Sequence, residues 1–457
     1  MRVVALVVTA WAALALNGGR MVTVMHRARS DATRGFESDA FASLARFELA
    51  SALEACDCTA QVRSEAIGGP VAWSRVTVQD GDMGALRAAV RRCALAHGAY
   101  APLGSVAVDF GAAVAAVDAS APQRDARPSS WVVRPVVLGA TARSSNAQVG
   151  ELLPRDDLDA LSLFLGAPTT TRASGDSGRR IAAVFLPDGV RLFEEIALGA
   201  GVAASAWDYV PVGTPNRKGR TRGRFAEHVL RRVPPRGTPM GAEVAFLAVN
   251  LARVARGAVI ADPCCGSGSL LIAAFLATDG EVDLRGSDAD RAAAAAAREN
   301  LQGVGAAGAS RVEARPASTL LAEDTSGGPV GAVLCDPPYG RASRTLGPRV
   351  VDDVVALAAG RLQASGRLVL FHPTSDDPPR RVPGLRKVAA WTQTFQRHDL
   401  ERELIVYERD ERGDPGKSPL GSSSPRAEPP DRQTWTGGIA SDRTRPSRAL
   451  RRRRGPP

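Results

Sequence analysis

Aromatic residues supply only 5% of this 457-residue chain, and histidine occurs 5 times. The core must therefore be built from aliphatic side chains, with alanine heavily used. There are 6 cysteines, Cys56, Cys58, Cys93, Cys264, Cys265 and Cys335. That is too few for a disulfide scaffold in a chain of this size. No Cys-x-x-Cys pair occurs, and adjacent Cys264 and Cys265 suit neither a zinc knuckle nor a simple bridge. The thiols are read as buried or reduced, and no metal site is assigned. The chain has no internal repeat. An apolar stretch of 14 residues, "VVALVVTAWAALAL" from Val3 to Leu16, is too short to span a bilayer comfortably. It follows Met1-Arg2, and Ala13-Leu14-Ala15 imitates a cleavage site. Residues 1–20 are thus a candidate leader, or an extension upstream of a start at Met21; a first strand is the third reading. No membrane partner is expected.

What is present begins with length and charge. The chain is long enough for two or three domains, each with its own core. Of the formal net charge of +10, the stretch from Arg409 to Pro457 carries +6, with 12 Lys and Arg against 6 Asp and Glu. This tail is rich in Pro, Ser and Gly and reads as disordered. The folded part is only mildly basic, which is compatible with a nucleic-acid partner without requiring one.

Residues 21–215 alternate short β-like and helix-like stretches. "MVTVMHRA", "VAWSRVTV", "SWVVRPVVL" and "RIAAVFL" read as strands, and "AFASLARFELASALEA" as a helix. This part is α+β, and no motif in it specifies chemistry. Residues 216–237 form a basic linker that begins with Arg217, Lys218, Arg220, Arg222 and Arg224 among glycines. It reads either as solvated chain or as a phosphate-contacting loop. From 238 to 408 regular βα units follow: "GAVIAD", "VDLRGSD", "RVEAR", "GAVLCD" and "GRLVLF" are strands with helices between them. "WTQTFQR" and "ELIVYER" form a closing antiparallel edge hairpin. Such alternation predicts a parallel sheet covered on both faces.

Three strand ends carry acidic residues. In "IADPCCGSGSLL" a buried strand ends at Asp262, a turn with Gly266 and Gly268 follows, and a helix starts near Ser269. Small residues allow close approach of a ligand, and a helix N-terminus offers free amides. The turn is neither the Gly-x-Gly-x-x-Gly dinucleotide fingerprint nor a Walker loop. Asp288, 26 residues on, sits where a carboxylate can accept ribose hydroxyls, while Asp290 reads as a helix N-cap. Asp336, 74 residues after Asp262, opens Asp-Pro-Pro-Tyr, where two prolines end the strand as a rigid turn. In an open parallel sheet all three turns face one crevice.

Asp262-Pro263-Cys264-Cys265-Gly266-Ser267-Gly268 resembles the S-adenosylmethionine loop of amino-methyltransferases, and Asp336-Pro337-Pro338-Tyr339 resembles their catalytic motif. "RGTPMGAEVAFLAVNLARV" and the closing strands resemble those of the eukaryotic tRNA (guanine(10)-N2)-methyltransferases, a THUMP-related family. "VRRCALAHGAYAPLG" resembles part of that family's RNA-binding domain. The resemblance covers about 21–408, strongly from 238 on. It implies an α/β fold, a Rossmann-like class I S-adenosylmethionine-dependent methyltransferase domain preceded by an α+β THUMP-like RNA-binding domain. It departs from the family at Pro239 and Gly241, where a serine and an acid are usual, and at Pro316, where an acid usually follows the third strand.

The resemblance implies methylation of the N2 amine of a tRNA guanosine. Asp336 and the Pro337 carbonyl would accept the amine hydrogens, Pro338 would stiffen the turn, and Tyr339 would stack on the base. Thr238, Asp262, Pro263, Cys264, Gly266, Ser267, Gly268 and Asp288 would hold S-adenosyl-L-methionine. The expected partners are tRNA and the small zinc-containing methyltransferase activator subunit. The expected compartment is the cytoplasm, or an organelle if residues 1–20 are a leader. A DNA adenine or cytosine amino-methyltransferase, and an inactive RNA-binding descendant, are the competing readings.

Overall fold

The computed structural model describes residues 19–27, 35–65, 71–79, 82–117, 131–137, 151–165, 167–170, 179–186, 188–202, 224–230, 240–317, 329–338, 349–376, 379, 383–395 and 400–410. Up to Asp410 they lie in one compact unit. Thr238, Pro239, Tyr339, most of the basic junction and the Arg-rich tail fall outside the described residues.

Two sheets organise the chain. The N-terminal part runs β1 (Gly19–His26), α1 (Ser38–Ala55), β2 (Ala60–Glu65), β3 (Trp73–Gln79), α2 (Met83–Arg92), β4 (Ala96–Pro102), α3 (Phe110–Ala115), β5 (Trp131–Val137), α4 (Arg155–Leu165), β6 (Thr169–Thr170), β7 (Arg179–Leu186) and β8 (Gly189–Leu198). Its strands pair in the order β2-β3-β1-β4-β8-β7-β5-β6. All neighbours are antiparallel except β7-β5 and β5-β6. Alternation places Val22, Val24, Val76 and Val78 on the face covered by α1 and α2. The first strand starts at Gly19, two residues before Met21, so it takes in the last two residues of the stretch read as a leader or extension.

The junction is partly helical rather than all linker: α5 spans Arg224–Leu230. Arg224 donates to the Leu276 carbonyl over 2.8 Å and pairs with Asp279, so here it docks the helix instead of facing outward.

The second sheet follows α6 (Ala242–Leu251). Its elements are β9 (Val259–Asp262), α7 (Ser269–Ala277), β10 (Asp283–Asp288), α8 (Arg291–Gly303), β11 (Ser310–Ala314), β12 (Val330–Cys335), α9 (Arg349–Arg361), β13 (Leu362–Pro373), β14 (Leu385–Phe395) and β15 (Leu400–Arg409). The order is β11-β10-β9-β12-β13-β15-β14. The first five strands are parallel and the last two antiparallel. This is a Rossmann-like, methyltransferase-type sheet whose strand order reverses between β9 and β12. The near-continuous apolar runs of α6 and α7 follow from burial all round.

A polar seam joins the two parts. Glu48 on α1 is fully buried and accepts from the Ala94 amide (2.6 Å), the Leu95 amide (2.9 Å) and Asn250 Nδ2 of α6 (2.7 Å). Arg92 Nε donates to Asn250 Oδ1 (2.8 Å), and Arg367 Nη1 reaches Ser51 Oγ (2.8 Å). Around it one apolar cluster takes Phe41 and Leu44 from α1 together with Phe246, Leu247 and Phe371 from the second part. Among the described residues no helix is long and apolar enough to cross a membrane.

Candidate active site

The switch point between β9 and β12 opens a crevice at the strands' carboxyl ends. The turn after β9 is held through its own main-chain groups, which bond one another, the β10 backbone and side chains of β10 and α8. Gly266 and Gly268 take φ of +52° and +85°, a left-handed region that side chains with a Cβ enter at a cost. The Gly268 amide bonds the Cys265 carbonyl (2.8 Å), and the Cys265 amide bonds Ser287 O on β10 (2.9 Å). Asn300 Nδ2 of α8 donates to Ser267 O over 3.0 Å, and Ser287 Oγ to Pro263 O over 3.2 Å. Gly268 also caps α7, so the helix starts on the turn itself.

Asp288 ends β10 and clasps this turn. Its Oδ2 accepts the Gly266 amide (2.8 Å) and its Oδ1 the Asp290 amide (2.9 Å), while Asp290 caps α8 through the Ala292 amide. The sequence placed Asp288 on a ribose; here it also fixes the loop. A carboxylate has about four lone-pair sites, so both tasks are compatible. Asp262 is 1% exposed and accepts the Cys264 amide over 3.2 Å. Burial drives its carboxyl well above the usual carboxylate range, and the charges of Asp288 and Asp336 push the same way. Three acidic groups therefore converge within electrostatic reach of one another.

Asp336 follows β12 on the other side of the switch point, and the buried Pro337 and half-buried Pro338 continue the turn. Its Oδ1 accepts from Arg402 Nη1 of β15 over 3.3 Å. Arg402 lies with its guanidinium 4.4 Å from the Phe371 ring centroid, and its Nε donates to Gln393 Oε1 of β14 over 3.0 Å. Neither Arg402 nor Gln393 was foreseen. The signal was there: Arg402, Leu404 and Val406 share one face of β15, and Leu404 and Val406 are fully buried. A charge at an inward position implies a buried partner.

The structure thus brings Asp262, Pro263, Cys264, Gly266, Ser267, Gly268, Asp288, Asp336, Pro337 and Pro338 to one end of one sheet. Gly241 caps α6 through its carbonyl on the Ala245 amide (3.0 Å). All six cysteines are free, and burial pushes the Cys265 and Cys335 thiols well up, which keeps them protonated and unreactive. Among the described residues no group of three or more His, Cys, Asp or Glu could hold a metal ion.

With this geometry in view, residues 230–382 match the family described as RMKL-like, methyltransferase domain. That stretch is a methyltransferase domain. The match holds the turns at Asp262, Asp288 and Asp336 and stops before β14 and β15. A comparison with curated proteins finds no match. Among solved structures, TrmN from Thermus thermophilus is similar at 16% identity and TM-score 0.41, covering 85% of this chain and 99% of its own. A predicted N6-adenine-specific DNA methylase from Listeria monocytogenes is similar at 11% identity and TM-score 0.41, covering 86% and 97%. An RNA methyltransferase from Salinibacter ruber, in complex with S-adenosyl-L-homocysteine, is similar at 20% identity and TM-score 0.28, covering 39% and 95%. Likenesses at this level carry no conclusion about substrate.

The crevice fits S-adenosylmethionine as a methyl-donating cofactor. The ligand brings a sulfonium and an ammonium, and the acidic groups of Asp262 and Asp288 beside the glycine turn favour a cation. The amides and small residues from Cys264 to Gly268 allow its polar end to approach the main chain.

Proposed function

We propose that this domain methylates the exocyclic amine of a nucleobase in RNA, with N2 of a tRNA guanosine as the substrate. The observation that carries the reading is the Asp336-Pro337-Pro338 turn, set at the switch point opposite the glycine turn and held by a buried arginine. When bound, S-adenosylmethionine supplies an electrophilic methyl group. The protein's task is to orient a poor nucleophile whose lone pair is delocalised into the ring. The Asp336 carboxylate and the Pro337 carbonyl accept the two amine hydrogens and turn the nitrogen lone pair towards the methyl donor. Asp336 also lies in place to take the released proton. Tyr339 is assigned to stacking on an extruded base, Asp288 and Thr238 to the cofactor.

The N-terminal part suits a nucleic-acid backbone, and the preference for RNA over DNA rests on its resemblance to a THUMP-like domain. Its sheet presents Arg63, Arg75 and Arg191 around a cavity of about 460 Å³, together with Glu65 and Asp188. Arg63 and Arg75 are direct cross-strand partners, and Arg75 already pairs with Glu65 over 3.0 Å, so a phosphate bound here would compete with that carboxylate. The N-terminal part is accordingly assigned the THUMP-like RNA-binding role, and the small zinc-containing activator subunit is kept as a proposed partner. The test is methyl transfer from labelled S-adenosylmethionine to unmodified tRNA, with and without that subunit, followed by nucleoside analysis. Label in N2-methylguanosine supports the reading. Label only in DNA overturns it in favour of a DNA amino-methyltransferase, and cofactor binding without any transfer in favour of a non-catalytic RNA-binding protein.

A further inference from the structure

The turn that presents Asp336 has an unusual weakness. Two consecutive prolines leave it without amide donors at positions 337 and 338, so those residues cannot tie it down by main-chain donation. The carboxylate must be oriented from elsewhere, and Arg402 reaches it from two strands away. β12 pairs β13, and β13 pairs β15 with Pro373 opposite Arg402. The guanidinium crosses the intervening strand by lying on the Phe371 ring at 4.4 Å. Its side chain is 9% exposed and that of Asp336 is 27% exposed. Burying a guanidinium is costly unless its hydrogens are satisfied, so its pose is closely specified.

The bracing continues past Arg402. Gln393, 1% exposed, accepts from Arg402 Nε, and its backbone forms a bridge with Phe36. Next to it the Thr394 amide donates to Gly35 O over 3.1 Å. Gly35 and Phe36 precede α1 and belong to the N-terminal part. Phe36 is fully buried in the cluster that holds Phe371, Trp391 and Leu404. A Cβ on Gly35 would stand 2.4 Å from Thr394 O, so only glycine fits that contact.

We propose that Arg402 is the positioning residue of Asp336, and that the Gly35–Phe36 segment braces it through Gln393. The inference rests on the methyltransferase reading above and adds what sets the aim of its acid. It makes the catalytic geometry depend on a segment of the N-terminal part.

The experiment compares Arg402→Gln, Arg402→Lys and Gly35→Ala with the wild-type chain in methyl transfer and in cofactor binding. A misplacement of about 1 Å costs on the order of 10²-fold, so Arg402→Gln lowers kcat by about that factor at unchanged KM for S-adenosylmethionine. Arg402→Lys keeps the charge without the planar fork and recovers part of the loss. Gly35→Ala lowers kcat by roughly tenfold, again without weakening the cofactor. Wild-type rates for Arg402→Gln, or equal losses for Gln and Lys accompanied by weaker cofactor binding, overturn the proposal. A measurement independent of turnover is the melting-temperature cycle of Arg402→Gln with Asp336→Asn. The two losses are expected to be non-additive, and additive losses overturn the pairing. Were the wild type to transfer no methyl group to any nucleic acid, the functional reading would fail, and this cycle would still judge the pair.

Discussion

The turns on either side of the switch point are built by opposite means. After β9, glycines in left-handed conformations hold the loop, together with bonds from the loop's own main-chain groups to β10 and to the Asn300 side chain of α8. After β12, prolines remove two amide donors, and a side chain from β15 reaches the carboxylate. The first turn is suited to a ligand recognised through backbone groups. The second is suited to presenting one carboxylate in a fixed direction. Binding and chemistry should therefore separate under mutation.

The sharpest test of that separation is Asp336→Ala. Turnover is expected to fall by about 10³-fold or more, because acceptor and base are lost together, while cofactor affinity measured by calorimetry stays within about twofold. Parallel loss of affinity would show the two turns to be one unit. Gly268→Ala should act on the other side. Forcing a Cβ into φ of +85° costs about 1–2 kcal/mol, seen as a lower Tm and weaker cofactor binding, with kcat at saturation little changed. Asp288→Asn replaces one of two amide-accepting oxygens by a donor. Cofactor Kd should rise by roughly tenfold, as the loop loses one clasp.

The smallest effect is a pH dependence. Burial, joined by the charges of Asp288 and Asp336, outweighs the Cys264 amide and holds the Asp262 carboxyl well above its usual range. The fold therefore prefers this group protonated. Its contribution to stability is full below the unfolded value of about 4 and is lost as pH rises through the folded value. A cation in the crevice favours the ionised form, so affinity for S-adenosylmethionine should rise with pH across that window. S-adenosylhomocysteine, which lacks the sulfonium charge, should show a shallower rise by calorimetry. Equal slopes for the two would remove Asp262 from cofactor recognition.

Most of the sheet could be read in advance because its parallel strands are buried runs ending in punctuating residues. "SLLIAAFLA" became α7 with its ends unchanged, and Asp290 became the predicted N-cap. The convergence of Asp262, Asp288 and Asp336 followed from topology alone. What could not be read was anything spanning elements. Periodicity shows that Arg402 and Glu48 point inward, but only the assembled strands and helices show that they meet Asp336 and Asn250. The helix at Arg224–Leu230 was hidden because its glycine-rich, basic approach has the composition of a linker. The clasp made by Asp288 was hidden because spacing reveals a strand end, not the amides that turn back onto it.

The polar seam at Glu48, Asn250, Arg92 and Arg367 bears on how such a chain can be taken apart. Each of these groups has been withdrawn from water and takes at least one partner from the opposing part. Severing the chain at the junction would leave α6 showing water an almost wholly apolar surface, with Asn250 deprived of Glu48. A catalytic fragment produced alone should clump, and grafting a foreign N-terminal module should succeed only where the donor carries a carboxylate at the position of Glu48. The two parts thus work as a matched set.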